Sequence, residues 1–156
     1  MSTSAVLEQI IATLEAELMT LTRAARDSYA AATDPDSRAE NKYDTRTLEA
    51  SYVARGQAQR VAEVTEAVEM FKGLRAAAIT GQMVSIGSLV ALKAPGETMH
   101  CFLGPAAGGT QVEHEGVVVD VVTPTSPLGQ KLLGSKDGAT IQISPTFSAV
   151  VEILEA

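Results

Sequence analysis

The sequence predicts an α+β protein, with a long antiparallel helical hairpin followed by a small antiparallel sheet domain that carries one short helix. Three observations predict it. Apolar and small residues recur at alternating steps of four and three over two long segments before residue 76. A single break, Thr33-Asp34-Pro35-Asp36, separates those segments. After Thr80-Gly81 the helical period stops, and short Val- and Ile-rich runs punctuated by Gly and Pro take over.

The first seam reads Leu7, Ile11, Leu14, Leu18, Leu21, Ala25, Ser28, Ala32, with no Gly or Pro before Pro35. It predicts a helix over about 5–33 with Ser4 as N-cap. Pro35 disfavours helical geometry at Asp34 and suits the first position of a new helix, with Asp34 as N-cap and Asp36 at the positive end of its dipole. So short a connection returns the second helix antiparallel to the first. The second seam, Tyr43, Thr47, Ala50, Ala54, Gln57, Val61, Val64, Val68, Phe71, predicts a helix over about 35–76. At roughly 1.5 Å per residue the arms extend on the order of 45–60 Å. Seam residues are small near the turn and larger toward the base. Gly56 interrupts the second helix at a cost of about 1 kcal/mol relative to Ala.

The second domain, 82–156 after a hairpin over 1–78, reads as strands over 87–92, 98–103, 116–122, 139–143 and 147–154, with a short piece near 112–114. The Val-rich run Gly116 to Val122 predicts a central strand. Ser126 as N-cap, Pro127 at the first helical position and Gly134 past the end predict one short helix, 128–133.

Composition limits the function. The chain has 156 residues, a formal net charge of -7 and 4% aromatic residues without Trp. An acidic chain lacks the basic face that free-standing DNA or anionic-membrane binding needs. Scarce aromatics argue against a large aromatic-lined ligand cavity. The single Cys101 excludes an internal disulfide, and no run reaches the length of a membrane span. No signal-peptide pattern opens the chain. These features predict a soluble cytoplasmic protein, and we expect it to be a monomer.

Chemistry concentrates at the hairpin turn, where Asp34, Asp36, Glu40 and Asp44 fall within eleven residues of sequence. Capping explains Asp34 and Asp36 in an ordinary helix. It does not explain Glu40 or Asp44. Asp36, Glu40 and Asp44 recur at steps of four, a spacing at which like charges destabilise a helix by a few tenths of a kcal/mol per pair. A metal or a basic partner would relieve that repulsion; a plain solvated face would leave it. Elsewhere, His100, Cys101 and His114 fit no common zinc spacing. His114, between Glu113 and Glu115, reads as a surface residue on a strand. Gly104 to Thr110 lacks the Lys of a phosphate-binding loop. Arg55 and Arg60 either face a polyanion or pair along the helix with residues such as Glu63.

Glu40-Asn41-Lys42-Tyr43 resembles the acidic-tip motif Asp-x-x-Glu-Asn-x-x-Tyr of the bacterial Gre transcript-cleavage factors. Ser126-Pro127-Leu128-Gly129, with Leu132-Leu133-Gly134 and Asp137-Gly138, resembles their C-terminal motif. The order and size of the two halves match as well. The resemblance implies a coiled-coil hairpin and an FKBP-like sheet domain. It implies RNA polymerase as partner, with docking through Ser126, Pro127, Leu128 and Gly129 and entry of the hairpin into the secondary channel. Nascent RNA would be met only indirectly. There Glu40, with Asp36, would share a catalytic Mg²⁺ with the polymerase and stimulate cleavage of backtracked RNA, the polymerase remaining the enzyme. The family's tip aspartate lies three residues before the glutamate, where this chain has Ser37; Asp36 lies four before, and Tyr43 comes one residue early. The second ligand is therefore open among Asp36, Asp34 and Asp44, with Asn41 beside them. A non-cleaving regulator in the same channel is the alternative, and a prolyl isomerase-like module a remote one.

Overall fold

The computed structural model describes residues 1–33, 45–76 and 81–154. Two long helices, α1 (Thr3–Thr33) and α2 (Thr45–Gly73), come first. A 3-10 turn follows at Leu74–Ala76. The remainder is β1 (Leu89–Ala94), β2 (Glu97–Leu103), β3 (Gln111–His114), β4 (Val117–Val122), the six-residue α3 (Pro127–Leu132), β5 (Thr140–Ser144) and β6 (Phe147–Leu154). The chain is α+β, a helical hairpin followed by a six-stranded sheet with one short helix. Two compact units divide it, one made of residues 1–13 with 69–156 and the other of residues 14–68.

In the unit of residues 14–68 the helices run antiparallel, with Arg60 of α2 bonded to Glu17 of α1 at 2.8 Å. The seam read from the sequence faces inward: Leu14, Val64 and Val68 are buried, while Leu18, Leu21, Ala25, Ser28, Ala54, Gln57 and Val61 are half-buried. The N-cap of α1 is Ser2 rather than Ser4. Its Oγ accepts from Ala5 N–H at 3.3 Å and its carbonyl from Val6 N–H at 3.1 Å. The helix starts early because Thr3 is buried and its hydroxyl donates to the Leu154 carbonyl.

The sheet order is β3-β4-β2-β1-β6-β5. It is mixed, not antiparallel throughout, because β2 pairs parallel with β4. The loop after β2 passes over the end of β4, where Gly104 N–H donates to the Val122 carbonyl and Gly109 N–H to that of Val121. The chain therefore enters β3 one place too far out, and the returning β4 fills the gap in the direction of β2. The turn that sends it back, Glu115-Gly116, has positive φ at both residues, the type I′ combination of a two-residue hairpin. The Val-rich β4 is thus second from the edge. The middle of the sheet is β1 and β2, and β1 is buried on both faces, which is why Leu89-Val90-Ala91-Leu92 shows no alternation.

One face of the sheet carries Val90, Leu92, Cys101, Leu103, Ile141, Ala149 and Val151, closed by Leu132 of α3 and by Val84. On the other face Leu89, Phe102 and Val121 sit side by side in the strand register. Phe71 of α2 covers them, its ring centroid 6.1 Å from that of Phe102. The first turns of α1 supply buried Val6, Leu7, Ile10 and Ile11 to the same unit. Thr3 ties α1 to β6, and Gln9 ties it to β3 through the Glu113 carbonyl.

Phe71 reaches its place only because residue 104 has no side chain: a Cβ there would lie 2.7 Å from Phe71 Cζ and 3.0 Å from Val121 Cγ1. Gly104→Ala should lower stability by about 1–3 kcal/mol through overpacking. Urea unfolding followed by circular dichroism would show this as a lower midpoint with an unchanged slope; an unaltered midpoint would mean that Phe71 moves aside freely.

Candidate functional site

Asp34, Asp36, Glu40, Asn41 and Asp44 lie outside the described residues. The structure sets the frame around them: α1 ends at Thr33, α2 begins at Thr45, and the acidic stretch is the connection between these antiparallel helices.

The Ser126–Gly129 motif is fully described. After β4, the Thr123 carbonyl accepts from Ser126 N–H at 3.1 Å and from Ser126 Oγ at 2.8 Å. Ser126 Oγ in turn accepts from Gly129 N–H at 3.0 Å, so Ser126 caps α3 from an extended conformation. Pro127 takes the first helical position, where no donor is needed. Gly129 is buried against the preceding turn, and a Cβ there would fall 1.7 Å from the Thr123 carbonyl oxygen. Leu128 packs against the core cluster. The motif's Ser, Pro and Gly are therefore accounted for by building α3 tightly onto the end of β4.

Beyond α3, Gly134 turns the chain with φ +83 and donates its N–H to the Val84 carbonyl. Val84 N–H donates to the Ser135 carbonyl, and Met83 bridges Lys136. Asp137 Oδ1 accepts from Ile153 N–H at 2.9 Å, which gives the Asp137-Gly138 part of the motif a structural role too. The exposed apolar side chains at this corner are Pro127, Leu133 and Met83, the last two exposed at 47% and 52%. Sequence reasoning missed Thr123 and Met83, since neither type nor spacing marks a backbone carbonyl or a lone exposed Met.

The remaining candidates separate. His100 and Cys101 are neighbours on β2 and so point to opposite faces. Burial pushes the Cys101 thiol up to about 11, with Asp120 adding to the shift, so it keeps its proton near neutral pH and is a poor nucleophile there. His114 is half-buried rather than a surface residue, because its Nδ1 bonds Gln9 Oε1 at 3.0 Å where α1 crosses the β3–β4 hairpin. No group of three His, Cys, Asp or Glu able to hold a metal occurs among the described residues. Arg60 pairs with Glu17 at 2.8 Å and with Glu63 at 3.5 Å. Arg75 forks onto the Glu8 carboxylate with two bonds of 2.7 Å, and this hydrogen bonding holds the exposed Glu8 below its usual range, against an opposing desolvation. Phe102 is sealed beneath Phe71, which removes it from any open proline-binding pocket. No helix among the described residues is long and apolar enough to cross a membrane.

No family model matches the chain, and no curated protein matches it. Its neighbours among solved structures include Gfh1 proteins. GreA factor homolog 1 (Gfh1) of Thermus thermophilus is 16% identical, covers 92% of this chain and 92% of its own, and superposes with a TM-score of 0.35. Thermus aquaticus Gfh1 is 21% identical over 98% and 94% of the two chains, with a TM-score of 0.36. A further structure of the transcription factor Gfh1 is 18% identical over 93% and 91%, with a TM-score of 0.33. Superpositions this loose carry no weight for function.

Ser126→Ala removes one cap and should cost about 1 kcal/mol. Gly129→Ala meets backbone and should cost about 3 kcal/mol or more. Thermal unfolding of both variants checks the order; equal effects would mean that the Gly129 contact relaxes. In the wild type, labelling of Cys101 by a thiol reagent at pH 8 should track unfolding, because the buried thiol holds its proton. By the same shift, stability should fall as pH rises from about 9 toward about 11, where the unfolded thiol ionises and the folded one does not.

Proposed function

We propose that this chain is a Gre-like regulator of transcription that binds RNA polymerase in its secondary channel. The reading rests on one arrangement: a two-helix arm continuous with a sheet unit, whose connecting stretch contains Asp36, Glu40 and Asn41. The resemblance of both sequence motifs to the Gre factors supports it. Docking would use the corner around Pro127, Leu133 and Met83, with Ser126 and Gly129 holding α3 so that this corner is presented and Leu128 anchoring it to the core.

Glu40 and one of Asp36, Asp34 or Asp44 offer hard oxygen donors, with Asn41 next to Glu40, a donor set that suits Mg²⁺. When bound between these carboxylates and the polymerase, the cation would help to supply an activated water for phosphodiester hydrolysis. The chain's own contribution is to bring in acceptor-only carboxylates on the stretch that joins the two helices of the arm.

The second reading, a regulator that occupies the channel without stimulating cleavage, is favoured by one observation: Ser37 stands where the family motif has its aspartate. Stalled, backtracked elongation complexes given the purified protein and Mg²⁺ separate the two. Cleavage predicts 3′-end shortening of the RNA, abolished by Glu40→Ala with affinity for the polymerase nearly intact. Demonstrable binding without shortening selects the non-cleaving reading. Absence of polymerase binding at low salt would sink both.

A further inference from the structure

The unit of residues 14–68 is unevenly built. Among the residues whose burial is described, its buried side chains, Leu14, Val64, Ala67 and Val68, all lie at the end where the chain continues into the sheet unit. Across residues 15–30 of α1 and 53–63 of α2, no side chain is buried.

Three features near the middle of α2 add to that contrast. A Cβ at Gly56 would meet nothing within 4 Å, so no close approach requires a glycine there and its flexibility is uncompensated. Next to it, Gln57 Oε1 is shut off from solvent and has no hydrogen-bond partner. Opening the helices would return that acceptor to water, so the closed arm bears a penalty that the open arm does not. Ala58 and Val61, with Thr22, Ala25, Arg26 and Tyr29 across from them, line a hollow of about 470 Å³. At the inner limit of this region stand the Glu17–Arg60 and Arg60–Glu63 ion pairs, both exposed and so individually weak.

We infer that the outer arm, from about residue 15 to 30 and from 53 to 63, opens locally while the rest of the protein stays folded, with Gly56-Gln57 as the weak point that sets how often it does so. The orphaned acceptor and the unpacked glycine act together, and a seam whose apolar side chains are only half-buried there leaves little to oppose them. The property belongs to the free protein and holds whether or not the chain binds RNA polymerase.

Hydrogen exchange of the full chain, read by mass spectrometry near neutral pH, tests it. Amides of 15–30 and 53–63 are expected to exchange at least tenfold faster than those of 5–14 and 64–73. Gly56→Ala should slow the outer amides about fivefold, and Gln57→Leu should do so by about fivefold or more, with the inner amides unchanged in both. Both substitutions favour the closed state, so neither endangers folding. Equal protection of the outer and inner amides would overturn the inference, as would either variant slowing both sets alike, because the opening would then be global.

Discussion

The fold depends on how the second face of the sheet is kept from water. A sheet whose middle strands are apolar on both sides needs two covers, and α3, with six residues, supplies one of them. The other comes from Phe71 near the end of α2, while the first turns of α1 add buried Val6, Leu7, Ile10 and Ile11 to the same unit. Phe71 lies over Phe102 in a notch that exists because residue 104 is glycine. Burying aromatic and branched side chains is worth about 1.5–3 kcal/mol each, so this face is a large share of what holds the unit together. The sheet unit therefore takes in residues 1–13 as well as 69–156, and a cut through the chain near residue 80 would leave Leu89, Phe102 and Val121 facing solvent.

Local features of this architecture were readable from the amino acids. The three-four seam marked both helices and, among the described residues, their inward faces; the expected start of the second helix near residue 35 lies outside the described residues. Turn residues bounded every strand of the sheet to within about two positions, and Ser126, Pro127 and Gly134 bounded α3. What could not be read depends on partners distant in the chain. Nothing in Val117–Val122 says that it will lie parallel to β2, since that follows from the path of the loop at 104–110. Nor does Ser2 stand out from Ser4 until Thr3 meets the Leu154 carbonyl. His114 looked exposed between two glutamates because Gln9, its partner, is a hundred residues away in sequence.

The candidate site shows the same division. Residue type and spacing singled out Glu40 and Asp36, and their chemistry remains a matter of sequence. The C-terminal motif was recognisable, but the reason for its Gly129 lay in a carbonyl six residues earlier that no pattern marks. In the arm, the sequence exposed Gly56 as an anomaly without its explanation. The structure removes close packing as that explanation and adds the unpartnered oxygen of Gln57 beside it.

The tight seat of Gly129 on Thr123 bears on what the Ser-Pro-Leu-Gly string can be taken to mean. Its Ser, Pro and Gly answer to the seating of a short helix on a strand end, a demand that this corner of the fold makes by itself. The string therefore reports on how the corner folds, and a chain could carry it whatever chemistry its arm performs.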